Sequence, residues 1–211
     1  MKLPRQDNYE VAFQLAKETF LGAKLEERCA KSGAVYLPAE GLVEVPFVNR
    51  RCCLHLPEVR FTWAEGGEVP LLEQILILHY LNTASGVSPT GKWITFAQVP
   101  GGEFYRPVFR QRTLDRLVRA FGDRPEKLVP AAQSLGGREV EPGEVGVTIP
   151  VFPRVAVTFV LWRGDEEIPP AGNVLFDETI SEYLPPEDIV VVTGLLVSRL
   201  CRWVREEGKG T

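Results

Sequence analysis

Residues 155–162, VAVTFVLW, constrain this chain more than any other stretch. A strand sends successive side chains to opposite faces. Here Val155, Val157, Phe159 and Leu161 would lie on one face, and Ala156, Thr158, Val160 and Trp162 on the other. Both faces are apolar, so the segment reads as an interior strand. A chain of 211 residues is long enough to bury such a strand in one domain. The 19 Gly and 17 Pro favour many short elements over a helical bundle.

Residues 34–63 are rich in β-branched and aromatic side chains and are broken by Pro, Gly and the Asn49-Arg50 pair, which predicts an antiparallel meander of short strands. Residues 93–96 and 145–150 add further strands. Asp7, with Glu10 three positions later, resembles a capping box, and apolar residues then recur at helical spacing up to Gly33. Pro70 opens a central helix, LLEQILILHYLNTA, that is apolar on nearly every side. Residues 107–121 predict one helix whose polar face carries Arg110, Arg112, Arg116 and Arg119, and PEKLVPAAQSLGG predicts a shorter one. A short helix is expected near DETISEYL. The segment from Pro186 onward is read as a long C-terminal helix, with Glu187 and Asp188 suited to its first turn; the β-branched run from Ile189 to Val192 leaves a strand open there.

The prediction is one α+β domain over residues 1–211, an N-terminal helix in 1–33 preceding an α+β core in 34–211. Its mainly antiparallel sheet draws on residues 34–63, 93–96 and 145–162, under helices beginning near Asp7, Pro70, Pro107 and Pro186.

The formal charge of -4 disfavours non-specific nucleic-acid binding, which needs a basic field. The start MKLPRQDNYE turns polar at once, and no apolar run reaches the roughly 18 residues of a membrane span; no membrane association and a cytoplasmic location are expected. Cys29, Cys52, Cys53 and Cys201 lack the spacing of zinc or iron-sulfur ligands, so free thiols are expected and no metal.

GVSPTGKW, residues 86–93, fits a phosphate-binding GxxxxGK loop up to Lys92 and then has Trp93 where magnesium coordination needs Ser or Thr. A helix precedes it and a strand follows, the reverse of the order that points a helix N-terminus at phosphate. An exposed turn is the better reading.

Between residues 91 and 112, Lys92, Arg106, Arg110 and Arg112 alternate with Trp93, Phe96, Phe104, Tyr105 and Phe109. Guanidiniums beside aromatic faces can hold a carboxylate, a phosphate or a planar ring. The same pattern also arises from core aromatics under a solvated basic face. The opposite charge lies in 163–188, where Asp165, Glu166, Glu167, Asp177, Glu178, Glu182, Glu187 and Asp188 stand against Arg163 alone. If the two regions meet, arginine depresses the pKa of those carboxylates and argues against a general base. Left unpaired, Glu166, Glu167 and Asp177 could act as acid and base or hold Mg²⁺ or Ca²⁺ through oxygen, although DEEIPPAGNVLFD lacks the spacing of a calcium loop.

The histidines are His55 and His79. His79 suits a hydrogen-bonded core position. Cys53 and His55 fall on one face of a strand and could form a nucleophilic pair if Arg50 or Arg51 lowered the thiol pKa.

The order LILHYL, GKWITF, PGGEFYRPVFRQR, WRGDEEIPPAGNVLFD and YLPPED resembles the domain-of-unknown-function family numbered 3786 over roughly residues 35–204. The resemblance implies a setting in anaerobic cofactor or one-carbon metabolism, since members occur chiefly in anaerobic microbes and some carry an added corrinoid-type iron-sulfur domain. It supplies no catalytic residue and leaves the cofactor unknown, and this chain lacks a cysteine cluster for iron and sulfur.

The leading expectation is a binding or accessory protein whose cleft sets Lys92 to Arg112 against Asp165 to Asp177, with an anionic small molecule or partner segment on the arginine side. The residues expected to bind are Lys92, Trp93, Tyr105, Arg106, Arg110, Arg112 and Asp165. The rivals are an enzyme using Glu166, Glu167 and Asp177, and a protein-interaction scaffold.

Overall fold

A computed structural model describes residues 6–208. The described residues form two compact units: residues 6–88 with 152–154 and 182–184, and residues 89–151 with 155–181 and 185–208.

The first unit begins with helices α1 (Gln6–Leu21) and α2 (Leu25–Ser32). The apolar spacing predicts one helix here. The chain instead leaves the first helix at Gly22 and restarts after Lys24, whose extended backbone forms the second N-terminus. Apolar periodicity survives the break, which is why spacing does not reveal it. Gly33, at φ 75°, caps α2 as expected; the side chain of Asp7 lies outside the described residues.

Strands β1 (Val35–Leu37), β2 (Leu42–Phe47), β3 (Arg50–His55) and β4 (Arg60–Trp63) form the expected antiparallel meander in sequential order. Alternation directs Val43, Val45 and Phe47 inward. Helix α3 (Leu71–Thr83) follows Pro70 and is buried at Ile75–Leu78, Tyr80 and Leu81, as its all-round apolarity requires. Tyr80 is this unit's aromatic hub: Phe152 stacks on it at 4.1 Å and Tyr183 at 5.8 Å. Its hydroxyl donates to Ser32 O and accepts from the Arg154 amide.

The second unit begins with strand β5 (Trp93–Thr95) and continues through helices α4 (Arg106–Arg112), α5 (Leu114–Phe121) and α6 (Leu128–Gln133). Strands β6 (Arg138–Val140), β7 (Val145–Phe152), β8 (Val155–Trp162) and β9 (Ala171–Asp177) follow, and helix α7 (Pro186–Glu207) ends the unit. The sheet order is β5-β9-β8-β7-β6. VAVTFVLW is therefore the middle strand, buried at every position except Ala156 and Trp162. Helix α7 takes the register of a helix, burying Ile189, Val192, Leu196 and Leu200. Its length overrides the β-branched run at its start.

Two expectations are corrected. The strands form two separate sheets, because β5 pairs with β9 and not with the meander. The stretch after Trp162 is also not wholly a loop: residues 171–177 run antiparallel to β8 and join it to β5. Gly172 and Asn173 are poor strand formers that hide this strand in the sequence, yet Val174 and Phe176 are buried on alternation.

Candidate functional site

The site begins with a broken helix. Residues 107–121 share one amphipathic period, but the backbone departs from it at Thr113, at φ -119° and ψ -79°. The Thr113 hydroxyl donates to Phe109 O at 2.6 Å, a local side-chain bond that competes with continuing the helix. The break separates α4 from α5 and turns Arg110 and Leu114 toward β9.

Phe109 anchors the floor. Its ring stacks on Phe96 at 4.1 Å with an interplanar angle of 3° and meets the edge of Phe176 at 6.2 Å. These aromatics are core, whereas Trp93 and Phe104 are exposed and Tyr105 is half-buried. Helix α5 lies close against the start of β9: a Cβ on Gly172 would stand 3.1 Å from side-chain atoms of both Val118 and Leu161.

Between these elements runs an open groove. One cavity of about 650 Å³ lies among Arg110, Asp115, Val118, Arg119 and Pro170. A second, of about 300 Å³, lies among Phe96, Arg106, Phe109 and Asn173. Arg110 and Leu114 border both. The Arg110 Nε lies 3.3 Å from Asp115 Oδ1, and its side chain is 76% exposed. Arg106 donates to Ala97 O at 2.8 Å.

The other residues singled out in the sequence lie elsewhere. Lys92 pairs with Glu178 at 2.7 Å; hydrogen bonding and charge from that carboxylate raise the lysine's pKa and, with Thr90, lower that of Glu178. Arg112 is half-buried, with its Cβ against Gly194. Asp165 accepts the amides of Glu167 and Ile168 at 2.9 and 2.8 Å, which hold its carboxyl below the usual range. Glu166 and Glu167 are exposed, with no cation in ion-pairing distance among the described residues. The lone base of the acidic stretch, Arg163, reaches Glu126 at 2.7 Å and Glu144 at 3.4 Å.

Asp177 is occupied by the chain itself. Its oxygens accept the amides of Thr90, Gly91 and Thr179 and the Thr179 hydroxyl. Burial pushes the carboxyl up, but those hydrogen bonds outweigh it and hold the pKa below the ordinary value. The amides at Thr90 and Gly91, which a phosphate loop would aim at its ligand, are spent on this carboxylate. The GVSPTGKW segment is thus a turn with its own anion.

The four thiols are buried, which raises their pKa values. Burial pushes the Cys53 thiol up and Glu44 adds to it, against which Arg51 is too weak. His55 is engaged across the sheet with Thr62 Oγ1 at 2.9 Å. His79 is half-buried and also has a partner. Cys29 is pushed up to about 11 by burial, and Cys201 is raised for the same reason.

Leu114, Asp115, Val118, Pro170, Gly172 and Asn173 line the groove but do not stand out in the sequence. The alternation of Val174 and Phe176 in AGNVLFD is the signal that could have located this wall. Among the described residues there is no group of three or more His, Cys, Asp or Glu able to hold a metal, and no helix long and apolar enough to cross a membrane.

No curated protein and no solved structure matches this chain. Residues 24–199 match the pattern of the family described as Domain of unknown function (DUF3786), and with most of its length inside that match the chain belongs to this family.

Proposed function

We propose that this is a binding or accessory protein whose groove along α4, α5 and β9 takes a small anionic molecule with an apolar body. The observation that carries the reading is Arg110, which borders both cavities above an apolar floor and, among the described residues, has only an exposed carboxylate contact of 3.3 Å. An exposed ion pair contributes about 0–1 kcal/mol, so turning the guanidinium toward a ligand costs little. Its planar fork suits a carboxylate or phosphate, and Arg106 stands one helical turn earlier. Both cavities fall in or near the roughly 300–1,000 Å³ range of small-molecule sites.

Acid and base chemistry in the acidic loop has weaker support, because Asp165 and Asp177 spend their oxygens on the chain's own donors. The setting implied by the family resemblance, anaerobic cofactor or one-carbon metabolism, selects the test ligands. Thermal melts with phosphorylated and corrin-type compounds should show a rise with at least one anionic member. That rise should disappear in Arg110→Ala and shrink in Arg106→Ala; a ligand at a hundred times its Kd stabilises by about 2.7 kcal/mol. A rise that survives both substitutions, or no rise with any anion, overturns the reading.

A further inference from the structure

A second basic cavity lies on the other side of Arg119. Helix α5 contributes Arg116, Arg119 and Ala120, spaced i, i+3 and i+4, and helix α7 contributes Cys201, Val204 and Arg205 with the same spacing. That spacing puts each trio on one helix face. They border an open cavity of about 270 Å³, with small apolar side chains and three guanidiniums in its lining.

Among the described residues no carboxylate lines this cavity, and neither Arg119 nor Arg205 has a carboxylate in ion-pairing distance. Arg116 is held by a neutral group, donating to Ser198 Oγ at 2.9 Å, while that hydroxyl donates to Gly194 O at 2.7 Å. Cys201 is buried and lines the same cavity as Arg116 and Arg205, its thiol donating to Arg116 O at 3.9 Å. Packing alone does not call for this arrangement, since like charges across a helix pair repel. The C-terminal ends of α5 and α7 offset part of the charge, by about half an elementary charge each. The three guanidiniums still outweigh it at the cavity itself, an excess that suits an anion.

We propose that the cavity between α5 and α7 is a second anion site, separate from the groove, that takes the phosphoryl group of a small phosphorylated molecule. Arg116, already oriented by Ser198, and Arg205 supply donors from opposite helices, and Arg119 closes the third side. The cavity's volume of about 270 Å³ is room for a head group. The cavity shares Arg119 with the groove, but Arg106 and Arg110 take no part in it.

The test is calorimetric titration of the full chain with inorganic phosphate and glycerol phosphate at low ionic strength, with acetate as the monoanionic comparison. Phosphate and its ester should bind and acetate should not. Affinity should rise between about pH 5.5 and 7.5 as the phosphate becomes a dianion, near its second pKa of about 6. Arg205→Ala and Arg116→Gln should each weaken binding about tenfold or more, whereas Arg60→Ala, on strand β4 and outside the lining of both sites, should leave it unchanged. Without ligand, Arg205→Ala should keep or raise the melting temperature, since it relieves repulsion; this separates a binding arginine from one needed for folding. Absence of phosphate binding, equal affinity for acetate, or undiminished affinity in Arg205→Ala overturns the proposal. Loss in Arg110→Ala with retention in Arg205→Ala would overturn it too, and would assign the anion to the groove instead.

Discussion

The Gly91 amide donates to Asp177 Oδ2 at 2.6 Å, joining residues 86 positions apart in the chain. Thr90 and Thr179 complete the set, so one carboxylate organises the turn before β5 and the end of β9. Replacing it with alanine strands these donors. Asp177→Ala should lose about 1–3 kcal/mol in urea unfolding, the usual cost of leaving such groups unsatisfied.

The same carboxylate predicts an acid limb. Its pKa in the folded protein lies below the ordinary 3.8, so its contribution is full above that value and is lost as pH falls through the folded pKa. Wild-type stability, followed by circular dichroism in urea, should therefore drop below about pH 4. The drop should be shallower in Asp177→Asn, whose amide does not titrate. Equal slopes would mean that Asp177 has no part in the acid transition.

Two glycines with similar backbones should respond differently to alanine. Gly91, at φ 79°, has nothing among the described residues within 4 Å of a new Cβ, so Gly91→Ala should cost only the left-handed strain of about 1–2 kcal/mol. Gly143, at φ 85°, would place that Cβ 2.3 Å from Val160 Cγ1 in the middle strand. Overpacking there adds about 1–3 kcal/mol. Urea midpoints of the two variants provide the comparison.

All four cysteines are buried and their thiols are raised by burial. Alkylation by iodoacetamide at about pH 7.5 should be slow for the native protein and reach the rate of a free thiol only in denaturant. Fast native labelling of Cys53 would restore the Cys53–His55 pair as a candidate nucleophile.

Arg163 joins Glu126 and Glu144, but all three side chains are about half exposed. Arg163→Ala should cost no more than about 1 kcal/mol, and less as salt is added. A larger loss that persists in high salt would show that this junction packs as well as pairs.

The elements with a strong period are legible in the sequence. VAVTFVLW reads as an inner strand, LLEQILILHYL as a buried helix, and the 34–63 meander follows from short β-branched runs between turn formers. The α+β class and the long C-terminal helix follow from those local patterns. The breaks at Gly22 and Thr113 are hidden because apolar spacing continues across them. Strand β9 is hidden because Gly172 and Asn173 carry weak β propensity, and only its hydrogen bonds to β5 and β8 make it a strand.

The candidate groove divides the same way. Arg106 and Arg110 stand out beside aromatics, but Val118, Pro170 and Asn173 acquire meaning only where α5 meets β9. Net charge brings the basic and acidic segments to attention without choosing partners. Asp177 went to amides, Lys92 to Glu178, and Arg163 to two acids. Composition and periodicity act over a few residues and so determined the class, the main elements and the inner strand. Pairing of sheets, partners of charges and the walls of cavities depend on contacts between distant residues, and only the tertiary structure decided them.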